Sequence, residues 1–418
     1  MKDSLNNYLI DNDYFQTKRQ KKTVLLAVKK VEEKIRTEHK ASRLHVIGSA
    51  KMETWLPGDD VDCVCVIPRR TNRAEFFKAM VDLLPKHFKR EYRVISNVSV
   101  PIISVYCEGH NIDIQFACFD IDKLEPFENI SHTDVMETDP ESQAGLNAMR
   151  NATSILNIVP DHNIFRVLIR AVKVWARNRG IYGNKFGYLG GIACAIMVAK
   201  VCRQKQCKNK QPTFIICEFF KQYSNHFNTP GAMVALNKKR LEKPTPGALW
   251  KVLTPILPVQ DTMARVNRST KRIIRDEFRR AMSIMSDVDY VEKIILWEKL
   301  NEKFVVNKIE CSYVLGTVEP KPTEPKLNVK KVAGFIEMKL HLLVVRLHNW
   351  FRQIEQARIV PEPEVDRSNL HYGYVIQLTL AKGKVIESER WNETARWFSS
   401  ICAAKYGGDV KVTLFTDY

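Results

Sequence analysis

The sequence predicts a multi-domain α+β protein: an α/β block, a mainly helical middle block and a smaller second α/β block. A chain of 418 residues is long enough for two or three domains, and its 45% of hydrophobic residues can form real cores. Along the chain the apolar pattern changes from strand-like alternation to helical spacing and back. The predicted boundaries are 1–160, 161–303 and 304–418.

The first block is predicted to open with a helix and to continue as a sheet. Val24, Leu25, Val28 and Val31 recur at helical spacing among lysines within the first 40 residues. Short β-rich runs follow at 44–47, 61–67, 98–106 and 111–119, with an amphipathic helix at 73–84. This order predicts an α/β block.

The two later blocks differ in their patterns. The middle is predicted as helices at 163–179, 189–202, 215–223, 270–285 and 291–300. The last block alternates strand, helix, strand, helix and strand, at 304–315, 332–354, 372–380, 388–404 and 410–415. Such an order over about 110 residues is typical of ferredoxin-like or RNA-recognition-type folds.

The charge of the chain favours a polyanionic partner. Its 65 Lys and Arg against 47 Asp and Glu give a net charge of +18, which suits nucleic acid, an anionic membrane surface or an acidic protein. The longest apolar stretch, 188–198, is shorter than the ~20 residues that span a bilayer. The polar start and the ten cysteines without a CxxC pair indicate an intracellular protein that does not enter membranes.

Three aspartates carry the chemical prediction. Asp60 and Asp62 precede an apolar run, and residues two apart on a strand share one face about 6 to 7 Å apart. Asp113 alternates with Ile112 and Ile114 on a later strand, so it faces away from their apolar side. If the two strands are neighbours, the three carboxylates converge.

Converging carboxylates would repel one another unless cations compensate them. Oxygen ligands suit Mg²⁺ or Mn²⁺, and two such ions about 3.5 to 4 Å apart could support an in-line phosphoryl transfer. Gly48 and Ser49 add a place for backbone to approach phosphate, before a short helix expected near 50–55. The alternative is a set of solvated surface acids.

The chain resembles the eukaryotic poly(A) polymerases, which belong to the DNA polymerase β-like nucleotidyltransferase superfamily. The resemblance rests on the run 47–62 (IGSAKMETWLPGDDVD), with its Gly-Ser to Asp-x-Asp spacing, and on 100–103 (VPII) followed by 111–113. Further matches follow in the family's order at 146–147, 155–160, 170–176, 181–184, 186–191, 254–258 and 267–270.

The resemblance implies a role for each matching residue. Asp60, Asp62 and Asp113 would be the catalytic and metal-binding carboxylates. The implied ATP contacts are Ile47, Gly48, Ser49, Asn147, Lys173, Tyr182, Asn184, Gly191 and Ile192. Of these, Lys173 and Tyr182 would reach the triphosphate, whereas by pattern alone Lys173 would be a surface cation and the Gly190–Gly191 pair a helix-packing device.

The implied activity is template-independent polynucleotide adenylyl transfer, adding AMP from ATP to RNA 3′ ends with release of pyrophosphate and with two Mg²⁺ or Mn²⁺ ions. The three blocks would be a nucleotidyltransferase catalytic domain, a helical central domain and an RNA-recognition-like domain, and the N-terminal helix could pack on the central one. The cleft would lie between the first and third blocks. The alternatives are a terminal nucleotidyltransferase of other nucleotide specificity and a catalytically silent RNA-binding subunit.

The resemblance also implies a location and partners. RNA 3′ ends or poly(A), ATP and 3′-end processing factors would be partners, and the family's location is nuclear. No long Ser/Thr-rich basic tail follows Tyr418, so a cytoplasmic location stays open.

Ser104 stands where many family members have Lys. The helix from Arg265 to Arg280 is strongly basic, either as a solvated face or as an RNA path.

Overall fold

The computed structural model describes residues 3–88, 92–95, 100–123, 130–229, 231–237, 249–286, 294–305, 317–320, 329–365, 372–406 and 410–413. Its first part is a five-stranded sheet in the order β1-β2-β5-β4-β3. The strands are β1 Arg43–Val46, β2 Val61–Pro68, β3 Tyr92–Ile95, β4 Ile102–Cys107 and β5 His110–Phe119. β2 and β5 run parallel, and their other pairings are antiparallel.

Helices cover both faces of the sheet. They are α2 Lys18–Glu38, the four-residue α3 Gly48–Lys51, α4 Arg73–His87, α5 His132–Met136 and α6 Pro140–Ile158. Cys63 and Cys65 of β2 face α2 and α4, whereas Val64 and Val66 face α6. A strand buried on both faces has a continuous apolar sequence, which is why 61–67 is so hydrophobic.

The helical block follows the sheet. It contains α7 His162–Asn178, α8 Gly191–Cys202, α9 Pro212–His226, α10 Arg268–Met285 and α11 Ile294–Leu300. Two short strands, β6 Met233–Val234 and β7 Lys251–Val252, pair in parallel within this block. A first helix, α1 Ser4–Asp11, packs against α7, α9 and α11, whereas α2 packs on the sheet. Throughout the described ranges, no helix combines the length and apolarity needed to cross a membrane.

In its described residues, the last block contains two helices and six short strands. They are β8 Thr317–Pro320, α12 Val329–Trp350, β9 Ile354–Ile359, β10 Glu364–Val365, β11 Tyr372–Gly373, β12 Ile376–Leu380, α13 Ser388–Tyr406 and β13 Val410–Thr413. β9 pairs with β12 and β8 with β13, both antiparallel. The core of this block is continuous with that of the helical block.

Several sequence predictions differ from the structure in this region. The helix predicted at 332–354 ends at Trp350, and Ile354 begins a strand that the sequence did not predict. A turn in which the Ile354 amide donates to the Phe351 carbonyl (3.0 Å) stops the helix. The strand predicted at 304–315 falls mostly outside the described residues, and 304–305 are not in a strand.

Candidate active site

A cleft of about 530 Å³ lies between the sheet and the helical block. It is lined by Gly48, Ser49, Met52, Thr54, Gly58, Asp59, Asp60, Asp62, Ile169, Lys173, Arg177, Tyr182, Gly191 and Ile192. Every lining residue belongs to the first or the middle block. The expectation that the third block would form one wall is therefore wrong for the described part of the chain.

The loop after β1 brings backbone close to Asp62. Gly48 has a left-handed φ of +57°, and a Cβ at this position would lie 3.1 Å from Asp62 Oδ2. The Ile47 amide donates to the Asp62 carbonyl (2.9 Å), which ties the loop to β2. The short helix starts at Gly48, so the expected helix at 50–55 is wrong: Glu53, with a φ of 54°, ends it early.

The parallel pairing of β2 and β5 brings the carboxylates together. Asp62 lies directly opposite Asp113 in the register. Asp60, just before β2, accepts a hydrogen bond from Asn111 Nδ2 (3.0 Å). Ser104 lies opposite Asp113 on β4 and its hydroxyl donates to that carboxylate. The register thus places two of the three predicted carboxylates, Asp62 and Asp113, side by side.

The carboxylates perturb one another's ionisation. Desolvation in the recess of the cleft, followed by the charges of Asp113 and Asp60, raises the pKa of Asp62 to about 7 although its side chain reaches solvent. Desolvation also raises the pKa of Asp113, and the bond from Ser104 opposes that rise. The metal-free structure thus favours the protonated form of the Asp62 carboxyl, and a bound cation would favour its ionised form.

The donor set fits Mg²⁺ or Mn²⁺. Across the residues that the structure places, no group of three or more His, Cys, Asp and Glu side chains forms a candidate metal cage. Mg²⁺ rarely uses such cages, because it keeps several waters and binds through one or two carboxylates plus substrate phosphates. Asp62 and Asp113, adjacent and charge-crowded, offer that kind of partial ligand set.

Lys173 is held inside the cleft by an acid that the sequence did not single out. Its side chain is 2% exposed, and Nζ donates to Asp59 Oδ2 at 2.7 Å. Arg177 Nη2 donates to the other oxygen of Asp59 at 2.6 Å. Asp59 also accepts from the Leu56 amide (3.0 Å). The interpretation of Lys173 as a surface cation is therefore wrong.

Tyr182 and the start of α8 form the opposite wall. The Arg177 guanidinium lies 4.8 Å from the centre of the Tyr182 ring, and a Cβ on Gly191 would lie 3.1 Å from the Tyr182 hydroxyl. Burial is the main cause that raises the pKa of Tyr182, so its hydroxyl stays protonated and can donate. Ile192 completes this wall.

Three of the ATP contacts implied by the family do not line the cleft. The side chain of Ile47 is in the core beneath the sheet. Asn184 Nδ2 donates to the Thr262 carbonyl (2.8 Å). Asn147 is buried on α6, where its Oδ1 accepts from Arg150 (2.9 Å) and its Nδ2 has no partner among the described residues.

Asp59 and Arg177 are the two charged residues of the cleft lining that the sequence did not predict. Arg177 follows Lys173 by four residues on α7, so the two lie on one face of the helix. Asp59 immediately precedes the Asp60–Asp62 pair. The four-residue spacing from Lys173 could have indicated Arg177 from the sequence. The position of Asp59 between two cations is visible only in the packing of α7 against the 54–59 loop.

Comparisons with known proteins agree on the family. The model of the poly(A) polymerase nucleotidyltransferase domain matches residues 18–159, and that of the poly(A) polymerase central domain matches 164–303. A Candida albicans protein, poly(A) polymerase PAPa, is 28% identical over 323 residues, covering 73% of this chain and 56% of that protein. Poly(A) polymerase pla1 of Schizosaccharomyces pombe is 29% identical over 344 residues, covering 78% and 58%.

Solved structures share the fold. A structure of the Cid1 poly(U) polymerase aligns with a TM-score of 0.55 at 15% identity, covering 72% of this chain and 98% of that one. A cytoplasmic RNA terminal U-transferase aligns with a TM-score of 0.52 at 14% identity, with the same coverage. The chain spans a little over half the length of the two fungal relatives. With two domain models matching in order, the chain belongs to the poly(A) polymerase family.

Proposed function

We propose that this protein is a template-independent polynucleotide adenylyltransferase that transfers AMP from ATP to an RNA 3′ end. The observation that carries the proposal is the register of Asp62 with Asp113 beside the Gly48 loop, opposite the cations of α7. Negative charge gathered on one wall and positive charge on the other suit a metal-bound polyphosphate lying between them.

In the proposed reaction the RNA 3′ oxygen attacks the α-phosphorus of ATP. The new O–P bond forms as the bond between the α-phosphorus and the bridging oxygen breaks, and pyrophosphate leaves with that oxygen. Two Mg²⁺ or Mn²⁺ ions, when bound, would lower the pKa of the 3′ hydroxyl and offset charge on the leaving group. Asp60, Asp62 and Asp113 would hold them, and Ser104 would orient Asp113.

The triphosphate would lie against Ser49, Lys173, Arg177 and Tyr182. These groups supply a hydroxyl, an ammonium, a guanidinium and a phenol, all of which donate to phosphate oxygens. In the structure both cations are bound to Asp59. Phosphate oxygens would compete with Asp59 for them, so part of the nucleotide's binding energy would go into that exchange.

The nucleoside would lie along Gly191 and Ile192, where the missing side chain of Gly191 leaves room for a flat group. Asn147 would approach the sugar, and its unpartnered Nδ2 is a buried donor, within the described part of the chain, that a ribose oxygen could satisfy. Asn184 would contact ribose or base after leaving Thr262. Ile47 would contribute through its backbone only.

We assign residues 1–160 to a catalytic domain, 161–303 to a helical central domain and 304–418 to an RNA-recognition-like domain. The order of β8, α12, β9, β12, α13 and β13 supports the last assignment, because it matches the split β-α-β type. RNA, 3′-end processing factors and a nuclear location are proposed with it. A relative from Arabidopsis thaliana, 26% identical, is named nuclear poly(A) polymerase 4.

The test is nucleotide competition on an oligo(A) primer, with Mg²⁺ and then with Mn²⁺. We expect incorporation of ATP over UTP, CTP and GTP; preference for another nucleotide would make the protein a different terminal transferase. Asp113→Asn should remove at least about 10³-fold of the rate while the fold stays intact. Asp122→Asn, an exposed acid outside the cleft, is the control. Absence of metal-dependent incorporation by the wild type would leave a silent RNA-binding subunit.

A further inference from the structure

One face of α10 is a stripe of cations. Arg268, Lys271, Arg272 and Arg275 line a surface cleft of about 340 Å³. Arg279 continues the stripe, so it is about 16 Å long at 1.5 Å per residue. The opposite face of the helix is buried, through Ile273, Ile274, Phe278 and Ala281.

The stripe keeps most of its charge available. Arg272 pairs with Glu355 (3.7 Å), and Arg275 and Arg279 both pair with Asp276 (3.0 and 3.8 Å), through side chains that are between 31% and 53% exposed. Exposed pairs of this kind exchange readily with another anion. Lys271 lies 5.2 Å from the centre of the Trp250 ring. Its pKa is lowered by partial burial and by Arg275, which shows cations crowding one another.

The stripe begins beside the loop that lines the active cleft. A Cβ on Gly187 would lie 2.6 Å from the Arg265 carbonyl, three residues before Arg268. Asn184 in the same loop donates to Thr262, and Tyr182 of that loop lines the cleft. A chain leaving the cleft past Tyr182 would therefore meet the stripe first.

We infer that single-stranded RNA upstream of the 3′ end runs along the α10 stripe. Cations alone would suit any polyanion, but this stripe begins beside the loop that lines the active cleft, where the proposed function places the RNA 3′ end. This inference rests on the proposed function for the position of the 3′ end. An acidic protein is the competing occupant.

The experiment measures binding of a fluorescent oligo(A) of about 15 nucleotides, with ATP omitted, by anisotropy at several salt concentrations. The triple variant R268A/R272A/R275A should raise Kd at least about tenfold, and the slope of log Kd against log salt should fall by about two, the value for three lost phosphate contacts on a single strand. The triple lysine variant R268K/R272K/R275K should stay near wild type.

Matched controls separate this track from general charge. The variant K205A/K208A/K210A removes the same three charges from an exposed segment after α8 and should bind like wild type. W350A changes an exposed tryptophan outside the stripe and should also bind like wild type. If both triple alanine variants weaken binding equally, the inferred RNA track on α10 is wrong. If poly-glutamate displaces oligo(A) as effectively as RNA does, the stripe is a site for acidic protein and not for RNA.

Primer length separates this inference from the activity. Extension of a primer of about four nucleotides, the lower end of single-strand site sizes, should be equal in the triple alanine variant and the wild type. Extension of the long primer should show a higher KM only in the variant. If the triple alanine variant loses oligo(A) binding but the wild type incorporates no nucleotide, the RNA track is supported and the proposed activity is wrong. If the variant binds oligo(A) normally and the wild type is active, the proposed activity is supported and the RNA track is wrong.

Discussion

Asp62 is a carboxyl group whose ionised form the fold disfavours. It lies opposite Asp113 and near Asp60, and its pKa is raised to about 7. A raised carboxyl pKa means that the native state favours the protonated form. The stability this group contributes is complete below about pH 4, the ordinary pKa of Asp, and is lost as the pH rises through 7. A bound cation would reverse that penalty.

Asp62→Asn should therefore stabilise the metal-free protein at high pH. With EDTA present, we expect a higher Tm than wild type at pH 8 and no difference near pH 4, where the wild-type carboxyl is already neutral. Differential scanning calorimetry at both pH values measures this. Asp122→Asn should leave Tm unchanged at both. A lower Tm for Asp62→Asn at pH 8 would show that the charge stabilises the metal-free fold.

The contributions of the Lys173–Asp59 ion pair to stability and to ATP use can be separated by mutation. Lys173→Met should lower kcat/KM for ATP at least about tenfold and reduce the free energy of unfolding by about 2 kcal/mol, because Asp59 loses one of its two cations and keeps Arg177 and the Leu56 amide. Adding Asp59→Asn should restore most of the stability but not the ATP kinetics. Urea unfolding and steady-state kinetics complete the cycle. Restored kinetics in the double variant would make Lys173 a purely structural residue.

At the scale of elements, the loop between β1 and β2 depends on one glycine. Gly48 combines a left-handed φ with close approach to Asp62, whereas Gly109 has a φ of +86° and a Cβ placed there would meet no described atom within 4 Å. A side chain at either position would therefore strain the backbone, but only a side chain at position 48 would also contact Asp62.

Gly48→Ala and Gly109→Ala should each cost about 1 to 3 kcal/mol of unfolding free energy, the strain of a side chain in the left-handed region. Only Gly48→Ala should also lower kcat, because its Cβ would displace the Asp62 carboxylate. Denaturation curves and primer extension test both. Equal activity losses would assign the effect to stability alone.

The sequence predicted elements well where burial is simple. Strand β2 follows from a continuous apolar run and β5 from alternation, and their aspartates, Asp62 and Asp113, lie side by side. The sequence-based prediction failed where the structure depends on tertiary packing. Leu25 fits the helical spacing of α2 yet is 66% exposed. The apolar spacing of α12 continues into β9, so the start of that strand was predicted as the end of the helix. Asp59 became recognisable only when the packing of α7 placed it between two cations.

At the scale of the whole molecule, a buried ionic cluster joins the helical block to the last block. Arg179 Nε donates to Glu277 Oε2 (2.8 Å), and Arg358 Nη2 donates to Glu277 Oε1 (3.2 Å) and to the Arg179 carbonyl. All three residues are at most 9% exposed. The guanidinium of Arg358 also lies 3.4 Å from the centre of the Phe304 ring.

Glu277→Gln should lower the free energy of unfolding by about 3 kcal/mol or more, because it leaves two buried guanidinium groups facing each other. Glu298→Gln, at an exposed position on α11, should change it by less than about 0.5 kcal/mol. Urea denaturation followed by circular dichroism measures both. Equal stabilities would mean that the cluster contributes nothing to the junction.

Sequence reasoning could not have found this junction. Glu277 lies among arginines on a helix whose pattern is typical of a solvated face, and Arg358 is in a strand that was not predicted. Which cation meets which acid depends on how the last block docks, and residue types along the chain carry no signal for that docking.

The position of α1 has a consequence for protein synthesis. Trp297 Nε1 donates to Ser4 Oγ (3.3 Å), across 293 positions of the chain. Because α1 leaves the ribosome before α11, it waits for α11 before it reaches its place, roughly 15 to 60 s at ordinary elongation rates of about 5 to 20 residues per second. During that time the sheet can form on the nascent chain, while Leu5 and Leu9, both buried in the finished protein, are exposed to any chaperone at the exit tunnel.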